Sequence, residues 1–407
     1  MLEGTGAGVL VTGGTGYFGA RLVQALRARG ARLAAGQPVR HRKGKAGMRA
    51  APLKVRIESL GVYLPETVLT TAALMDRCRR RPRLDLETIT GIRERRVAVG
   101  EHALELAVHS AERALALSRY RAEDLDAVIC TSISKHHRDG EFTFEPATAV
   151  LVRKAIGASR ALVFDVVNAC AGMLNGIAVL QALIRTGVVR NGMVVSGEQN
   201  LPLAESATRE IRHSLDRQLA ALTLGDAGAA LILDAATDAR HGIHHLDLVT
   251  GAKHDHYCRS LPSPRGSGGI LLTKARGLQR KGAEHFPVYL KRALDATGWS
   301  IADLQHVIPH QVSVRAVCQG VKALARYFGC EMPDIFLCNA ETCGNTTTTS
   351  HFVALHEFML SGRVNPGDNL LLVSGASGIV ISHATMTLDD LPERYRALWG
   401  SGAGVAS

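Results

Sequence analysis

One cysteine, Cys170, lies where the sequence changes from an apolar strand pattern to an apolar helix pattern. The run ALVFDVV over 161–167 predicts a buried strand, and apolar residues spaced three and four apart predict a helix over 171–186. The positive end of a helix dipole favours a thiolate, so we expect a lowered pKa and a nucleophilic thiol. A buried structural cysteine is the alternative interpretation.

Two further residues could assist such a thiol. His310 follows the apolar run VIP directly, at the end of a predicted strand where α/β proteins collect their active-site residues. Asn345 lies in CGNTTTTS, before a predicted helix, and its amide could donate to a thioester carbonyl oxygen as that oxygen gains charge. A strand-end histidine and a helix-capping asparagine are the structural alternatives for these two positions.

Composition limits the class of protein. The chain has 407 residues, 46% of them hydrophobic, and a net charge of +11, of which residues 1–53 supply +8 with nine basic residues and one acidic residue. The nearly balanced remainder argues against a nucleic-acid partner. No apolar run approaches the roughly 20 residues of a membrane span. The eight cysteines form no CxxC pair and no zinc spacing, so we expect free thiols, no metal site and a cytoplasmic setting.

From residue 54 onwards, strand and helix patterns alternate. This alternation predicts an α/β fold with mostly parallel sheets, and two similar halves suggest an internal duplication. We expect an extension over 1–53, an N-terminal half over 54–235 that holds the cysteine, a C-terminal half over 236–390 that holds the histidine and asparagine, and a tail over 391–407. Strands are predicted at 55–60, 127–132, 161–167, 192–196, 228–233, 245–250, 305–309, 334–338, 369–374 and 379–387. Helices are predicted at 102–117, 146–156, 171–186, 283–297, 312–328 and 347–361. Polar insertions are predicted at 202–220 and 251–282.

The extension begins with an apolar strand, the turn TGGTGYFG and an amphipathic helix. This resembles the opening of an extended short-chain dehydrogenase, whose glycine-rich turn holds a pyrophosphate. The resemblance ends after about 26 residues, and a dinucleotide site needs a whole doubly wound sheet. We therefore expect a non-functional remnant, a fusion scar or an over-long start before Met48. A targeting segment and a working reductase site are the less favoured alternatives.

Several segments together resemble the thiolase-fold condensing enzymes, specifically the β-ketoacyl synthase III group. They include TGIRERRVA (90–98), DVVNACAGMLNGI (165–177), LTLGDAGAALIL (222–233), VIPHQVSVRAV (307–317) and CGNTTTTS (343–350), and the resemblance spans about 54–390. It implies a thiolase-like five-layered αβαβα fold from two duplicated halves, an acyl group carried on Cys170, and His310 with Asn345 around the second thioester. It implies a homodimer, or a heterodimer with a related subunit.

This sequence differs from that of the ordinary β-ketoacyl synthase III at several positions, and the differences favour one branch of this group. The family's CoA-contacting tryptophan and arginine fall at about Asp85 and Ile89, and Ser313 and Ser377 replace an asparagine and a glycine. These features resemble the head-to-head condensing enzymes of olefin and β-lactone biosynthesis and the related pyrone-forming synthases. Those enzymes have a Glu-Pro pair at almost the same distance before the catalytic cysteine. Here Glu145, followed by Pro146, lies 25 residues before Cys170. A helix entry is the alternative interpretation of this pair.

The resemblance thus implies an acyltransferase that joins two acyl or β-ketoacyl thioesters without decarboxylation. Glu145 would be the base that removes an α-proton, and the backbone amides of Cys170 and Ser377 would hold the oxyanion. Arg315 and Ser313 would contact acyl-CoA or acyl carrier protein substrates, with no cofactor, although Arg315 could equally be a solvated helix charge. The alternatives are a decarboxylating synthase that uses a malonyl thioester, an O-acyltransferase and an inactive partner subunit.

Overall fold

The protein is described from a computed structural model, which covers residues 53–135, 143–265 and 268–400. The chain divides into two units, Met1–Ala51 and Pro52–Ser407, and the description concerns the second. The glycine-rich motif of the extension lies outside the described residues, and so does the end of the predicted tail.

Strands and helices alternate along the described residues. The strands are β1 Val55–Tyr63, β2 Val68–Thr70, β3 Glu94–Arg96, β4 Ala127–Cys130, β5 Leu162–Asp165, β6 Asn191–Glu198, β7 Ala227–Ala235, β8 Gly242–Thr250, β9 Cys258–Pro262, β10 Gly269–Thr273, β11 His306–Pro309, β12 Asn369–Ala376 and β13 Val380–Thr387. The helices are α1 Thr71–Asp76, α2 Leu86–Thr90, α3 Ala103–Leu117, α4 Thr148–Ile156, α5 Gly172–Arg185, α6 Leu201–Glu210, α7 Ala275–Thr297, α8 Val314–Phe328, α9 Ala340–Cys343, α10 Ser350–Leu360 and α11 Leu391–Trp399.

Two mixed sheets form the framework. The first has the order β1-β7-β6-β4-β5, with β4 parallel to β5 and β6 and the other pairs antiparallel. The second has the order β11-β12-β13-β8, in which only β11 and β12 are parallel. The prediction of mostly parallel sheets is therefore wrong. A three-residue turn joins β12 to β13, and so short a connection allows only antiparallel pairing.

Helices cover both faces of each sheet. Helices α5 and α10 lie between the sheets, where Ile177 and Phe352 share one core with Leu231 of β7 and Leu372 of β12. Helices α3 and α4 pack on the outer face of the first sheet, and α7 and α8 pack on the outer face of the second. This order of layers is the predicted αβαβα arrangement. Helix α10 is apolar on nearly all sides because it is buried from both directions.

Some predicted elements differ from the structure. Residues 334–338 do not form a strand, because only Phe336 pairs, in an isolated bridge with Val307. The predicted insertion 251–282 contains the β9–β10 ribbon and the first two turns of α7, which begins at Ala275 rather than at 283. In the predicted tail, Leu391 and Tyr395 of α11 join the core.

The division into halves at 235 stays a prediction. No helix in the described ranges has the length and hydrophobicity of a membrane span.

Candidate active site

Cys170 lies between β5 and α5, at the junction that the sequence predicted. Helix α5 begins two residues later, and Ala169 just before the thiol has a positive φ of 44°. The thiol packs among small apolar residues, Ala171, Ala376 and Val380. Ser374 on β12 donates a hydrogen bond to the Cys170 carbonyl oxygen, 3.2 Å away. The second sheet therefore supports the loop that presents the thiol.

The prediction of a lowered pKa for the Cys170 thiol is wrong. Burial raises the pKa of the Cys170 thiol well above its ordinary value, and the nearby Cys258 and Glu198 raise the pKa further. A helix N-terminus favours the thiolate, but removal of the thiol from water favours the neutral form more strongly. The thiol is therefore protonated at neutral pH and needs a proton acceptor to become a nucleophile.

His310 follows β11 and is buried. Its backbone N–H donates to the Val373 carbonyl at 2.8 Å, and its Nδ1 lies 2.7 Å from the Ser350 hydroxyl oxygen. Burial lowers the pKa of His310 to about 3, with a smaller contribution from the charge of His351. The imidazole is therefore neutral at physiological pH, and the Ser350 contact leaves Nε2 as the nitrogen available to a substrate.

Asn345 is fixed by backbone and side-chain contacts together. Its N–H donates to the Thr223 carbonyl at 2.9 Å, and its carbonyl accepts from the Gly225 N–H at 3.0 Å. Its Oδ1 accepts from the Thr347 N–H at 2.9 Å, which leaves the amide NH2 as the outward donor. Glycine is required at 344, because φ is +63° and a Cβ would lie 2.9 Å from the Thr223 oxygen.

Strand β12 and the turn that follows Asn345 bring these segments together. The consecutive residues Val373 and Ser374 hold His310 and the Cys170 loop. Residues 345–350 supply both Asn345 and the hydroxyl that contacts His310. The three predicted catalytic residues are therefore held by one set of contacts, although they come from three distant parts of the sequence.

A half-open apolar cavity of about 190 Å³ adjoins His310. It is bounded by β12, β13, α7 and α8, and it contains no lysine or arginine among its lining residues. Phe286, Val312, Phe336 and Ile379 supply much of its apolar surface, while Gly282 and Gly320 keep the facing helices from filling it. This composition suits an alkyl chain rather than a charged group.

Glu198 was missed by the sequence analysis. It is fully buried at the end of β6, and its carboxylate accepts hydrogen bonds from Ser134, Ser196 and the Thr348 hydroxyl, the last at 2.6 Å. Burial raises the pKa of this carboxyl. The contacts tie the first sheet to the turn after Asn345. The signal in the sequence was a lone acid at the end of the apolar run MVVSGE.

The remaining predicted site residues lie at the surface, in a turn or at a buried helix N-cap. Glu145 is exposed just before α4. Ser377 lies in the β12–β13 turn and donates its hydroxyl hydrogen to the Cys258 carbonyl at 2.9 Å. Ser313 is the N-cap of α8, and its oxygen accepts from the Ala316 N–H. Arg315 is exposed and donates to the Thr88 carbonyl in the middle of α2. The proposed roles of all four residues stay predictions.

Comparison with known proteins identifies the family of the chain. The chain matches the family model of 3-oxoacyl-(acyl-carrier-protein) synthase III over residues 164–252, and the model of its C-terminal region over 294–388. A β-ketoacyl-(acyl-carrier-protein) synthase III of Symbiobacterium thermophilum is 32% identical over 340 residues, which span 80% of this chain and 96% of the relative.

Solved structures show the same fold. FabH from Pseudomonas aeruginosa PAO1 has a TM-score of 0.71 at 23% identity, covering 83% of this chain and 99% of that chain. A glutamate-to-alanine variant of Xanthomonas campestris OleA has a TM-score of 0.71 at 22% identity, covering 83% and 98%. The fold is thus that of the thiolase-like condensing enzymes. The chain belongs to the β-ketoacyl-(acyl-carrier-protein) synthase III family, and it is an acyl-transferring condensing enzyme.

Proposed function

We propose that the protein condenses two acyl or β-ketoacyl thioesters head to head, without decarboxylation. The observation that carries the proposal is the apolar cavity beside His310, where the second thioester would bind. A malonyl unit has no alkyl chain to fill this space, whereas a second fatty acyl chain would gain about 0.8 kcal/mol for each buried methylene. The solved OleA variants replace a glutamate, a histidine and a cysteine, the residue types of Glu145, His310 and Cys170.

In the first half-reaction the thiol of Cys170 takes an acyl group. Its proton passes to Nε2 of the neutral His310 while the sulfur attacks the thioester carbonyl carbon. The departing CoA or carrier thiolate then receives that proton. The raised thiol pKa and the lowered imidazole pKa both favour the neutral pair, so the proton moves during the attack rather than before it.

In the second half-reaction an α-carbon becomes the nucleophile. Since no carboxylate is lost, a base must remove an α-proton, and Glu145 of the partner subunit would accept it. The carbanion attacks the acyl-cysteine carbonyl, a carbon–carbon bond forms, and the carbon–sulfur bond to Cys170 breaks. The departing thiolate then regains, by way of solvent, the proton that Glu145 accepted. Between the half-reactions His310 would exchange its proton from Nδ1 to Nε2 through solvent, and the Ser350 hydroxyl would then donate to Nδ1. Nε2–H of His310 and the amide NH2 of Asn345 would hold the oxygen of the second thioester. The backbone amides of Cys170 and Ser377 would hold the oxyanion that forms at the acyl-cysteine carbonyl.

The test supplies a mid- to long-chain acyl-CoA alone and follows intact protein mass and products. We expect wild type to form an acyl adduct and a coupled β-keto product, and Cys170→Ala to form neither. Glu145→Gln should form the adduct but release about 100-fold less product, because a general base contributes roughly 10²–10⁴-fold. Glu331→Gln, a change at another exposed glutamate, is the matched control and should behave as wild type.

Two other outcomes would identify a different function. An adduct that yields a coupled product only after malonyl thioester is supplied would identify the decarboxylating synthase, which the name of the Symbiobacterium relative favours. Transfer of the acyl group to an added alcohol would identify an O-acyltransferase. Undiminished product from Glu145→Gln would remove this glutamate from the mechanism.

The proposal requires a dimer, because the glutamate would come from the neighbouring subunit. Mixing Cys170→Ala with Glu145→Gln subunits should restore part of the activity, since a mixed dimer contains one intact site.

Arg315 and Thr88 lie together at the surface near α2, where a CoA or carrier-protein phosphate would bind. Carrier-protein donors should therefore lose affinity in Arg315→Ala, measured as a higher KM.

A further inference from the structure

Two histidines and an aspartate lie on one face of the second sheet, outside the candidate active site. His383 of β13 pairs with Asp247 of β8, and Thr385 pairs with His245. Residues two apart on a strand share a face, so His245, Asp247 and His383 all point toward α7. One ligand atom from each side chain lies within 4.8 Å of the others.

Several buried polar atoms of this cluster lack hydrogen-bond partners among the described residues, although Oδ1 of Asp247 accepts from the Leu248 N–H at 2.9 Å. His383 is fully buried, and neither of its ring nitrogens has a partner. Nε2 of His245 and Oδ2 of Asp247 are buried and lack one as well. Leaving a buried polar group unpaired costs about 1–3 kcal/mol, so two imidazoles with unpaired nitrogens beside one carboxylate require an explanation.

Arg292 of α7 does not resolve the mismatch. Its guanidinium lies 2.6 Å from Oδ2 of Asp247, an ion pair without the alignment of a hydrogen bond. No hydrogen bond joins it to either imidazole, so the buried ring nitrogens of His245 and His383 stay without a partner among the described residues. The arginine side chain is 57% exposed, so it can turn into solvent and leave the carboxylate to another cation.

We propose that His245, Asp247 and His383 form a binding site for a divalent transition metal ion, with Zn²⁺ as the best match. Two imidazoles and one carboxylate are a common three-ligand set for zinc, and water would complete the tetrahedron. The cluster contains no thiolate that would select copper(I), and its two nitrogen ligands disfavour Mg²⁺ and Ca²⁺.

The chemistry of the three side chains suits a divalent ion, because imidazole nitrogens and a carboxylate oxygen are ordinary ligands of zinc. Asp247 supplies one negative charge against the two positive charges of the ion.

Binding would join β8 to β13 on the same face of the sheet that lines the cavity. Ile381, two residues before His383 on the same strand, lines the cavity beside His310. A metal at the cluster would thus stiffen the wall against which the acyl chain packs, without contact with the reacting atoms. The role is structural, and it does not depend on which condensation the enzyme performs.

The test uses the full chain, freed of metal with a chelator and then titrated with Zn²⁺ against a chromophoric competitor. We expect wild type to bind one equivalent at the cluster. Asp247→Asn and His245→Gln, at half-buried positions, should weaken binding at least tenfold, since even the partners of metal ligands contribute 10–100-fold. His256→Gln, a partly exposed histidine outside the cluster, is the matched control and should bind as wild type.

The absorption spectrum of bound Co²⁺ shows which ligand atoms hold the metal, and so distinguishes the cluster from a site at the Cys170 thiolate. The expected spectrum is that of a nitrogen- and oxygen-ligated ion without thiolate charge transfer, lost in Asp247→Asn. Zinc should also raise the melting temperature of wild type and of His256→Gln, but not that of His245→Gln. Equal affinity in wild type and Asp247→Asn, or a thiolate spectrum that shows metal at Cys170, would overturn the proposal.

Discussion

His310 depends on a single hydroxyl group for the orientation of its ring. Ser350 lies 2.7 Å from Nδ1 at the start of α10, and both residues are buried. The contact fixes which nitrogen faces the substrate, and its loss leaves a buried nitrogen without this partner. Ser350 is thus a positioning residue, since it acts through His310 rather than on the substrate.

We expect Ser350→Ala to lower kcat about tenfold with little change in KM, because the loss of one buried hydrogen bond is worth about 1.4 kcal/mol. Ser350→Thr keeps the hydroxyl and should recover most of the rate. Ser361→Ala removes a hydroxyl at the far end of the same helix and should leave the rate unchanged. Equal kcat in Ser350→Ala and wild type, measured by steady-state kinetics, would show that the hydroxyl does not orient the ring.

At the scale of elements, glycines set how closely α3 lies on the first sheet. A Cβ at Gly61 would lie 2.2 Å from the Ser110 carbonyl oxygen, and one at Gly228 would lie 2.0 Å from the Leu106 oxygen. These glycines are on β1 and β7, so the helix backbone rests directly on two strands. The same helix also packs closely on β6 at Gly197, next to Glu198 at the end of that strand.

Gly197→Ala tests this packing, since its Cβ would lie 1.9 Å from the Ala103 carbonyl oxygen on α3. We expect the free energy of unfolding to fall by about 3 kcal/mol, at the upper end of what overpacking costs. Gly282→Ala, in α7, meets no atom within 4 Å and should instead gain up to about 1 kcal/mol of helix propensity. Urea denaturation measures both changes. A neutral Gly197→Ala would mean that α3 can shift outward at little cost.

At the scale of the whole molecule, buried histidines make stability depend on pH. His356 of α10 lies 2.7 Å from the Tyr395 hydroxyl, and Arg113 of α3 is nearby. Burial and then the charge of Arg113 lower its pKa from 6.5 to about 4. Below pH 6.5 the unfolded chain therefore binds a proton that the folded chain refuses, and stability falls with pH until about 4.

We expect His356→Gln to lose less stability than wild type between pH 7 and pH 5. The difference is at most about 1.4 kcal/mol per pH unit, the linkage value for one proton. Asp226 acts in the opposite direction because burial raises its pKa to about 7, but it is common to both proteins and cancels. His213→Gln, at an exposed position, should keep the wild-type slope. Parallel stability curves for wild type and His356→Gln would contradict the assignment.

The sequence alone was sufficient for the class of protein, and it predicted three catalytic residues whose roles stay predictions. Cys170, His310 and Asn345 each follow an apolar strand or a glycine turn, and such local patterns can be recognised in a single sequence. The same local reasoning was wrong about the Cys170 pKa, because desolvation depends on what covers the thiol, and Ala376 and Val380 come from the other half of the chain. It was also wrong about sheet direction, which depends on connections and not on strand content.

Only the tertiary structure showed the contacts between distant segments. Ser350 lies 40 residues from His310, and Ser374 lies 204 residues from Cys170, so no spacing rule could pair them. The His245, Asp247 and His383 cluster is invisible in sequence for the same reason, since its members meet only through the register of β8 against β13. Local patterns determine which strands and helices form. Long-range packing decides which polar groups meet, and so where the chemistry occurs.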